Sequence, residues 1–319
     1  MTQASTVRRE WRDWSCDVSV VVSSETDADA AADVVRQVMN TVELACSRFR
    51  PDSELAILAD RLAGGAPVSP TLAMLVDGAL EVARLTDGDV DPTLGFILID
   101  LGYSEDIAKL APTQAGDRTI VKMEVSERRP GWTRVRLEGS ELTVPADLML
   151  DLGASGKALA VDLAVAEVAK QLGCAALVNI GGDLATAGPA LADGWQIVVQ
   201  DLPHDPRQQV TLAAGAAMAT SSTQKRRWSK GGQAFHHLLD PHSGLPADPV
   251  WRSVTVAAKD CLRANAYSSA AIVRGFRAVD WLDALGISAR FVDRQGRIVT
   301  TGSWPAVIDE TAFAGTRHE

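Results

Sequence analysis

Hydrophobic and polar positions alternate from Asp17 to Ser23, which puts Val18, Val20 and Val22 on one side, the period-two mark of a strand. From Asp27 or Asp29 to about Ser47 the spacing lengthens to a helical one, with Val34, Val35, Val38, Met39 and Val42 as the apolar stripe and an aspartate as the cap. Pro51 stops this helix, and Ser53 or Asp52 can cap a short turn beyond it. A second helix opens at Ser69-Pro70, with proline at its first position, carries Leu72, Leu75, Val76, Ala79, Leu80 and Val82, and ends near Asp87-Gly88. Asp91-Pro92-Thr93-Leu94-Gly95 reads as a rigid turn whose Asp caps local amides. Residues 104–117 read as a surface excursion and 118–146 as strands, with Glu138-Gly139-Ser140 as a hairpin turn.

The stretch from Leu148 to Gly188 carries the densest signal. It reads as strand end, glycine turn at 151–156, helix from about Lys157, buried strand at Ala175–Val178, and second glycine turn at Asn179-Ile180-Gly181-Gly182-Asp183. Small residues let a ligand approach the backbone, and the positive end of a helix favours phosphate, with Lys157 adding a cation. Each turn alone reads as no more than a turn. Two of them flanking one helix, each with an aspartate, point to a nucleotide or flavin site, although neither GxGxxG nor GxxxxGK[ST] is present.

Farther on, Trp195–Gln200 and Gln209–Ala213 read as strands flanking a proline-rich loop at 201–207. Thr220, Ser221 and Ser222 end a short strand with three hydroxyls, suited either to ligand contact or to a local turn. His236 and His237 lie in a strand and so point to opposite faces, and a positioned histidine suits general acid or base work. Trp251–Ala258 is a strong strand, and Asp260 caps a helix to about Gly275. On that helix Asn265 and Ser269, four apart, share a face and could together ligate a hard cation, or be ordinary polar helix residues. Residues 277–286 form another helix, and 288–293 with 297–301 a closing hairpin.

Composition narrows the class. The 319 residues are 46% hydrophobic with a net charge of −10, which argues against nucleic acid or an anionic membrane as partner. The one basic run, Lys225-Arg226-Arg227, reads as a solvated loop. The four cysteines form no CxxC motif, and Cys46, Cys174 and Cys261 read as core residues. The N-terminal segment lacks a signal-peptide apolar core and no run approaches the roughly 18 apolar residues of a membrane helix, so a soluble cytoplasmic protein is expected.

Five ordered blocks resemble the ApbE-type FAD:protein FMN transferases, formerly called thiamine biosynthesis lipoproteins: SRFRPDSEL at 47–55, DPTLG at 91–95, DLGASGKALAVD at 151–162, NIGGD at 179–183, and ATSS at 219–222 followed by HLLDPHSG at 237–244. The resemblance spans about residues 15–305 of a single domain covering 1–319. It implies an α+β fold of two T-fold-like lobes, with mixed or antiparallel sheets, flanking helices and an FAD cleft between the lobes; repeated helix-and-hairpin blocks fit an internal duplication. It implies magnesium-assisted movement of FMN from FAD to a Thr or Ser hydroxyl of an acceptor protein, with release of AMP. His237 matches the histidine that activates the hydroxyl, and Phe49 the aromatic residue beside the flavin. Asp91, Lys157, Asp162, Gly181, Gly182, Asp183, Thr220 and Ser221 match positions around FAD, and Gly156, Asn265 and Ser269 those around Mg²⁺. One departure stands out: Asn265 replaces a metal-binding aspartate of the family, so weaker metal binding is expected. An FAD-binding protein without transferase activity and an FAD pyrophosphatase giving FMN and AMP are the alternative readings.

Overall fold

The computed structural model describes residues 6–110, 112, 131–203 and 205–306. Eight strands form one sheet: β1 (Val7–Asp13), β2 (Cys16–Val22), β3 (Ala176–Ile180), β4 (Asp183–Ala187), β5 (Ala217–Ser222), β6 (Trp251–Ala258), β7 (Ser288–Asp293) and β8 (Ile298–Thr301). Their order in space follows their order in the chain, and every neighbouring pair is antiparallel.

The topology repeats. The first four strands are split after β2 by the helices α1 (Ala28–Cys46), α2 (Glu54–Leu58), α3 (Pro70–Leu85), α4 (Gly95–Asp100) and α5 (Ser155–Leu172). The second four are split after β6 by α6 (Cys261–Arg274) and α7 (Arg277–Ala284). The halves join where Ala185, Leu184 and Asp183 of β4 pair with Ala217, Met218 and Ala219 of β5. This is an α+β fold of two ββ-helix-ββ halves fused through one sheet.

Alternation explains the layers. Val18, Val20, Val22, Val178 and Ile180 are buried under α1, α3 and α5, and Val254, Val256, Ala289 and Phe291 under α6 and α7. The opposite face of the central strands, with Leu177, Leu184 and Met218, is covered by a hairpin of Trp195–Val199 and Gln208–Leu212. Each fully buried aliphatic or aromatic side chain contributes about 1.5–3 kcal/mol. Helix starts follow local chemistry: Ser69 Oγ accepts from the Leu72 N–H ahead of Pro70, and Asp260 Oδ1 accepts from the Arg263 N–H.

Strand β1 was not foreseen. Its sequence, VRREWRD, is charged because it is an edge strand with one open side. Within the expected strands at 118–146, Arg136–Glu138 and Glu141–Thr143 do pair across Gly139-Ser140, and Ala66–Pro67 extends them to three strands; the parts of 104–117 and 118–146 at 111 and 113–130 lie outside the described residues.

Phe291 is fully buried and its ring lies 5.0 Å from that of Trp251. Phe291→Ala is expected to cost about 3–5 kcal/mol in chemical denaturation, because it removes a fully buried aromatic ring from the second half's core. A loss below about 1 kcal/mol would contradict this packing.

Candidate active-site cleft

One cleft of about 500 Å³ opens at the end of the sheet where the β1–β2 turn, the β3–β4 turn and the end of β5 meet the start of α5. It draws Asp91, Lys157, Gly181 and Gly182 from the first half and Thr220, Ser221, Ser222, His237, Asn265 and Ser269 from the second. Its volume falls in the ordinary range for small-molecule sites.

At its floor Lys157, in the first turns of α5, places Nζ 2.5 Å from Oδ2 of Asp183 at the start of β4. Asp183 is completely buried, and Asn265 on α6 aims Nδ2 at both carboxylate oxygens, 3.3 Å from each. A buried carboxylate needs such a cation and such donors. With its amide nitrogen committed to Asp183, Asn265 leaves Oδ1 buried and without a hydrogen-bond partner. One turn along α6, Ser269 Oγ and its neighbour Ser268 Oγ each lie 2.9 Å from Ser221 Oγ, while Thr220 Oγ1 lies 2.9 Å from Thr255 Oγ1.

The β3–β4 turn requires glycine. Gly181 and Gly182 have φ of +62° and +98°, and a Cβ on Gly181 would lie 2.9 Å from Cβ of Cys16. The side-chain amide oxygen of Asn179 accepts from the Gly182 N–H at 3.1 Å and tightens the turn.

His237, in the bend just after the strand Gln233–His236, lines the cleft and His236 does not; His236 Nε2 lies 3.0 Å from the Ala247 carbonyl. Burial, then the charges of Arg226, His236 and Lys157, hold the His237 imidazole well below its usual protonation range, with the Arg226 backbone acting the other way. Its Nδ1 has no hydrogen-bond partner. A neutral imidazole facing a ligand cleft can accept a proton.

Phe49 stands at the rim, 39% exposed, edge-on to Tyr103 at 5.5 Å, with the Arg48 guanidinium 4.3 Å over its ring. Arg48 also forms an ion pair with Asp151, whose other oxygen caps the Gly153 N–H at 2.8 Å. Asp91 forms part of the cleft wall, but its carboxylate accepts from Thr93 N, Thr93 Oγ1, Gly131 N and Trp132 N, so its oxygens serve the loop first.

Two expectations, for Asp162 and for the Lys225-Arg226 run, need correction. Asp162 does not line the cleft: it accepts from the Cys261 and Leu262 N–H groups at 2.8 and 3.0 Å and ties α5 to the start of α6. Burial pushes its pKa up to about 6 against those two donors. Gly156, whose backbone carbonyl is the expected third metal ligand, lines an adjoining cavity of about 250 Å³, where a Cβ would lie 3.4 Å from Cys46 Sγ, while Asn265 and Ser269 line the main cleft. Lys225 and Arg226, expected as solvated loop residues, both line the cleft. Cys16, also a cleft residue, carried no signal beyond its isolation in the sequence.

Among the described residues no group of three or more His, Cys, Asp or Glu could hold a metal. The oxygens that fit a hard cation are neutral: the unpartnered Asn265 Oδ1 and the hydroxyl of Ser269.

Buried His236 sets an acid limit on stability. Burial lowers the His236 pKa to about 4, against 6.5 for a free imidazole. The unfolded chain therefore takes up this proton first, and the stability present above pH 6.5 is lost as pH falls toward 4. The contribution is on the order of 3 kcal/mol. His236→Gln keeps a donor for the Ala247 carbonyl and is expected to flatten that part of the stability–pH curve in denaturant titrations; an unchanged slope would contradict the assignment.

A family model described as the ApbE family matches residues 13–305. A protein of Treponema pallidum named FAD:protein FMN transferase is 28% identical over 273 residues, which is 78% of this chain and 73% of that one. A Vibrio cholerae protein of the same name is 27% identical over 79% of this chain and 73% of its own. The crystal structure of the ApbE protein from Thermotoga maritima superimposes with a TM-score of 0.80 at 25% identity, covering 98% of this chain and 100% of that one. Sequence, fold and cleft agree, and the chain belongs to the ApbE family.

Proposed function

We propose that this chain is an FAD:protein FMN transferase, acting in the cytoplasm on the Thr or Ser hydroxyl of an acceptor protein. The reading rests above all on the convergence of Lys157, the Gly181-Gly182 turn, the hydroxyls of 220–222 and neutral His237 from both halves into one cleft. The names carried by its relatives point the same way.

FAD is the first substrate. Lys157, fixed by Asp183, supplies a positive charge beside the glycine turn, where the diphosphate would lie. His237 takes the proton of the acceptor hydroxyl. The oxygen bonds to the phosphorus of the FMN moiety, the phosphorus–oxygen bond to AMP breaks, and AMP leaves. Phe49 and Tyr103 give an aromatic wall at one end of the cleft. Asn265 Oδ1 and Ser269 Oγ would hold a divalent cation, which when bound neutralises charge on the transferring phosphate. Both donors are uncharged and Asp183 is already neutralised by Lys157, so weak metal binding is part of the proposal.

The test combines purified protein, FAD and Mg²⁺, with and without an acceptor domain, and follows AMP release and flavin fluorescence on the denatured acceptor. Transfer gives AMP only with acceptor, together with covalent flavin. AMP without acceptor would instead show hydrolysis, and intact bound FAD a carrier. His237→Ala should lower the transfer rate about 10²- to 10⁴-fold, the usual worth of a positioned base, while FAD still binds.

Asn265→Asp provides a second check. A carboxylate at this position adds a charged oxygen ligand beside Ser269, and Mn²⁺ titration of the variant should show at least about tenfold tighter binding than the parent chain. Equal affinities would remove Asn265 from the metal site.

A further inference from the structure

Four cations line the cleft, and three of them are engaged. Lys157 is held by Asp183, Lys225 has Nζ 2.9 Å from buried Asp201, and Arg12 lies 3.8 Å from Asp17. Arg226 is the fourth: its backbone is hydrogen-bonded to His237, but its side chain has no ion-pair or hydrogen-bond partner among the described residues. Its half-buried side chain lines both the cleft and the adjoining cavity, and its charge is felt by Cys16, Tyr103 and His237.

The backbone at Arg226 is strained. Its φ is +47°, in the left-handed region that side chains other than glycine rarely adopt. Such a residue costs on the order of 1–3 kcal/mol and persists only where its surroundings over-determine it. Here they do. On one side Lys225 is tied to Asp201. On the other, fully buried Trp228 stacks between Tyr103 and Phe235, with ring centroids at 5.0 and 6.0 Å, and donates from Nε1 to the Leu101 carbonyl at 2.8 Å. Trp228 belongs to the hairpin of Arg227–Lys230 and Gln233–His236, which delivers His237 immediately afterwards. The strained arginine and the proposed base are therefore positioned by one rigid unit.

We infer that Arg226 is a catalytic residue that grips the non-bridging oxygens of the transferring phosphate. The inference rests on the transferase reading. As the acceptor oxygen bonds to phosphorus and the bond to AMP breaks, the hydroxyl proton passes to His237. Arg226 gives two N–H donors to the phosphate oxygens and exchanges no proton. A planar guanidinium suits this role because it meets two oxygens at once. With only neutral oxygens from Asn265 and Ser269 to hold a metal, this chain has particular use for a fixed cation at that point.

The test is Arg226→Gly, chosen because glycine accepts the left-handed backbone and relieves its strain. The variant is expected to melt at or above the parent temperature and to bind FAD within about tenfold of it, by flavin fluorescence. Its transfer rate should fall about 10²- to 10³-fold. Added methylguanidine should restore part of that rate, and Arg226→Lys should be intermediate. The acid limb of its rate profile should move to higher pH, because the variant removes the Arg226 charge, the largest of the charges that hold the His237 imidazole down, and leaves Lys157 as the neighbouring permanent cation, with neutral His236 beside it. A parent chain that transfers FMN, with Arg226→Gly equally fast or with its loss indifferent to methylguanidine, overturns the role of Arg226 alone. A parent chain that neither binds FAD nor releases AMP overturns the functional reading and this inference together.

Discussion

A single buried carboxylate organises the molecule. Asp183 begins β4, has no contact with water, and draws its compensation from Lys157 on α5 and Asn265 on α6. It thereby joins a helix of the first half to a helix of the second across the sheet. Leaving such a charge uncompensated costs several kcal/mol, so the three residues fix one another's positions. The glycine turn ahead of Asp183 is held in register by the same constraint, since Gly182 is bonded to Asn179 and Gly181 packs against Cys16. A cleft wall made from two halves is reproducible only if something rigid spans the seam, and this triplet spans it.

The second support is the anchoring of α6. Asp162 caps the first amides of that helix from the side of α5, and Arg263 pairs with Asp260 and Glu81 close by. Neither contact reaches the cleft. Both determine where Asn265 and Ser269 stand one and two turns later, so residues far from any ligand set the spacing of its donors. On the opposite wall the aromatic stack of Tyr103, Trp228 and Phe235 does the same for the hairpin before His237.

Much of this was legible in the sequence, for physical reasons. The valine alternation of β2, the stripes of α1 and α3 and the caps at Ser69 and Asp260 are local signals, and local signals survive folding. Only one of His236 and His237 faces the cleft, as alternation led one to expect, although the strand itself ends at His236 and His237 stands in the bend after it. The turn at 179–183 was readable because only glycine tolerates its backbone. What the sequence hid depends on long-range pairing. Strand β1 is charged because it is an edge. Asp162 sits in a family motif, yet its carboxylate turns toward another helix 100 residues away in the chain. The Lys225-Arg226-Arg227 run looks like a solvated loop until Asp201 and the Trp228 anchor fold two of its members into the cleft. The adjoining cavity, built from five separate segments, had no sequence signal at all.

The central claim is that the diphosphate of one flavin dinucleotide lies across the seam between the halves, on the Lys157–Asp183–Asn265 triplet. A crystal structure of the chain soaked with FAD tests it most directly. The account requires diphosphate oxygens within hydrogen-bonding distance of Lys157 Nζ and the Gly181-Gly182 turn, with His237 facing the phosphorus nearer the flavin. Flavin density elsewhere on the surface, or a diphosphate remote from Lys157 with the triplet still closed on itself, would contradict it.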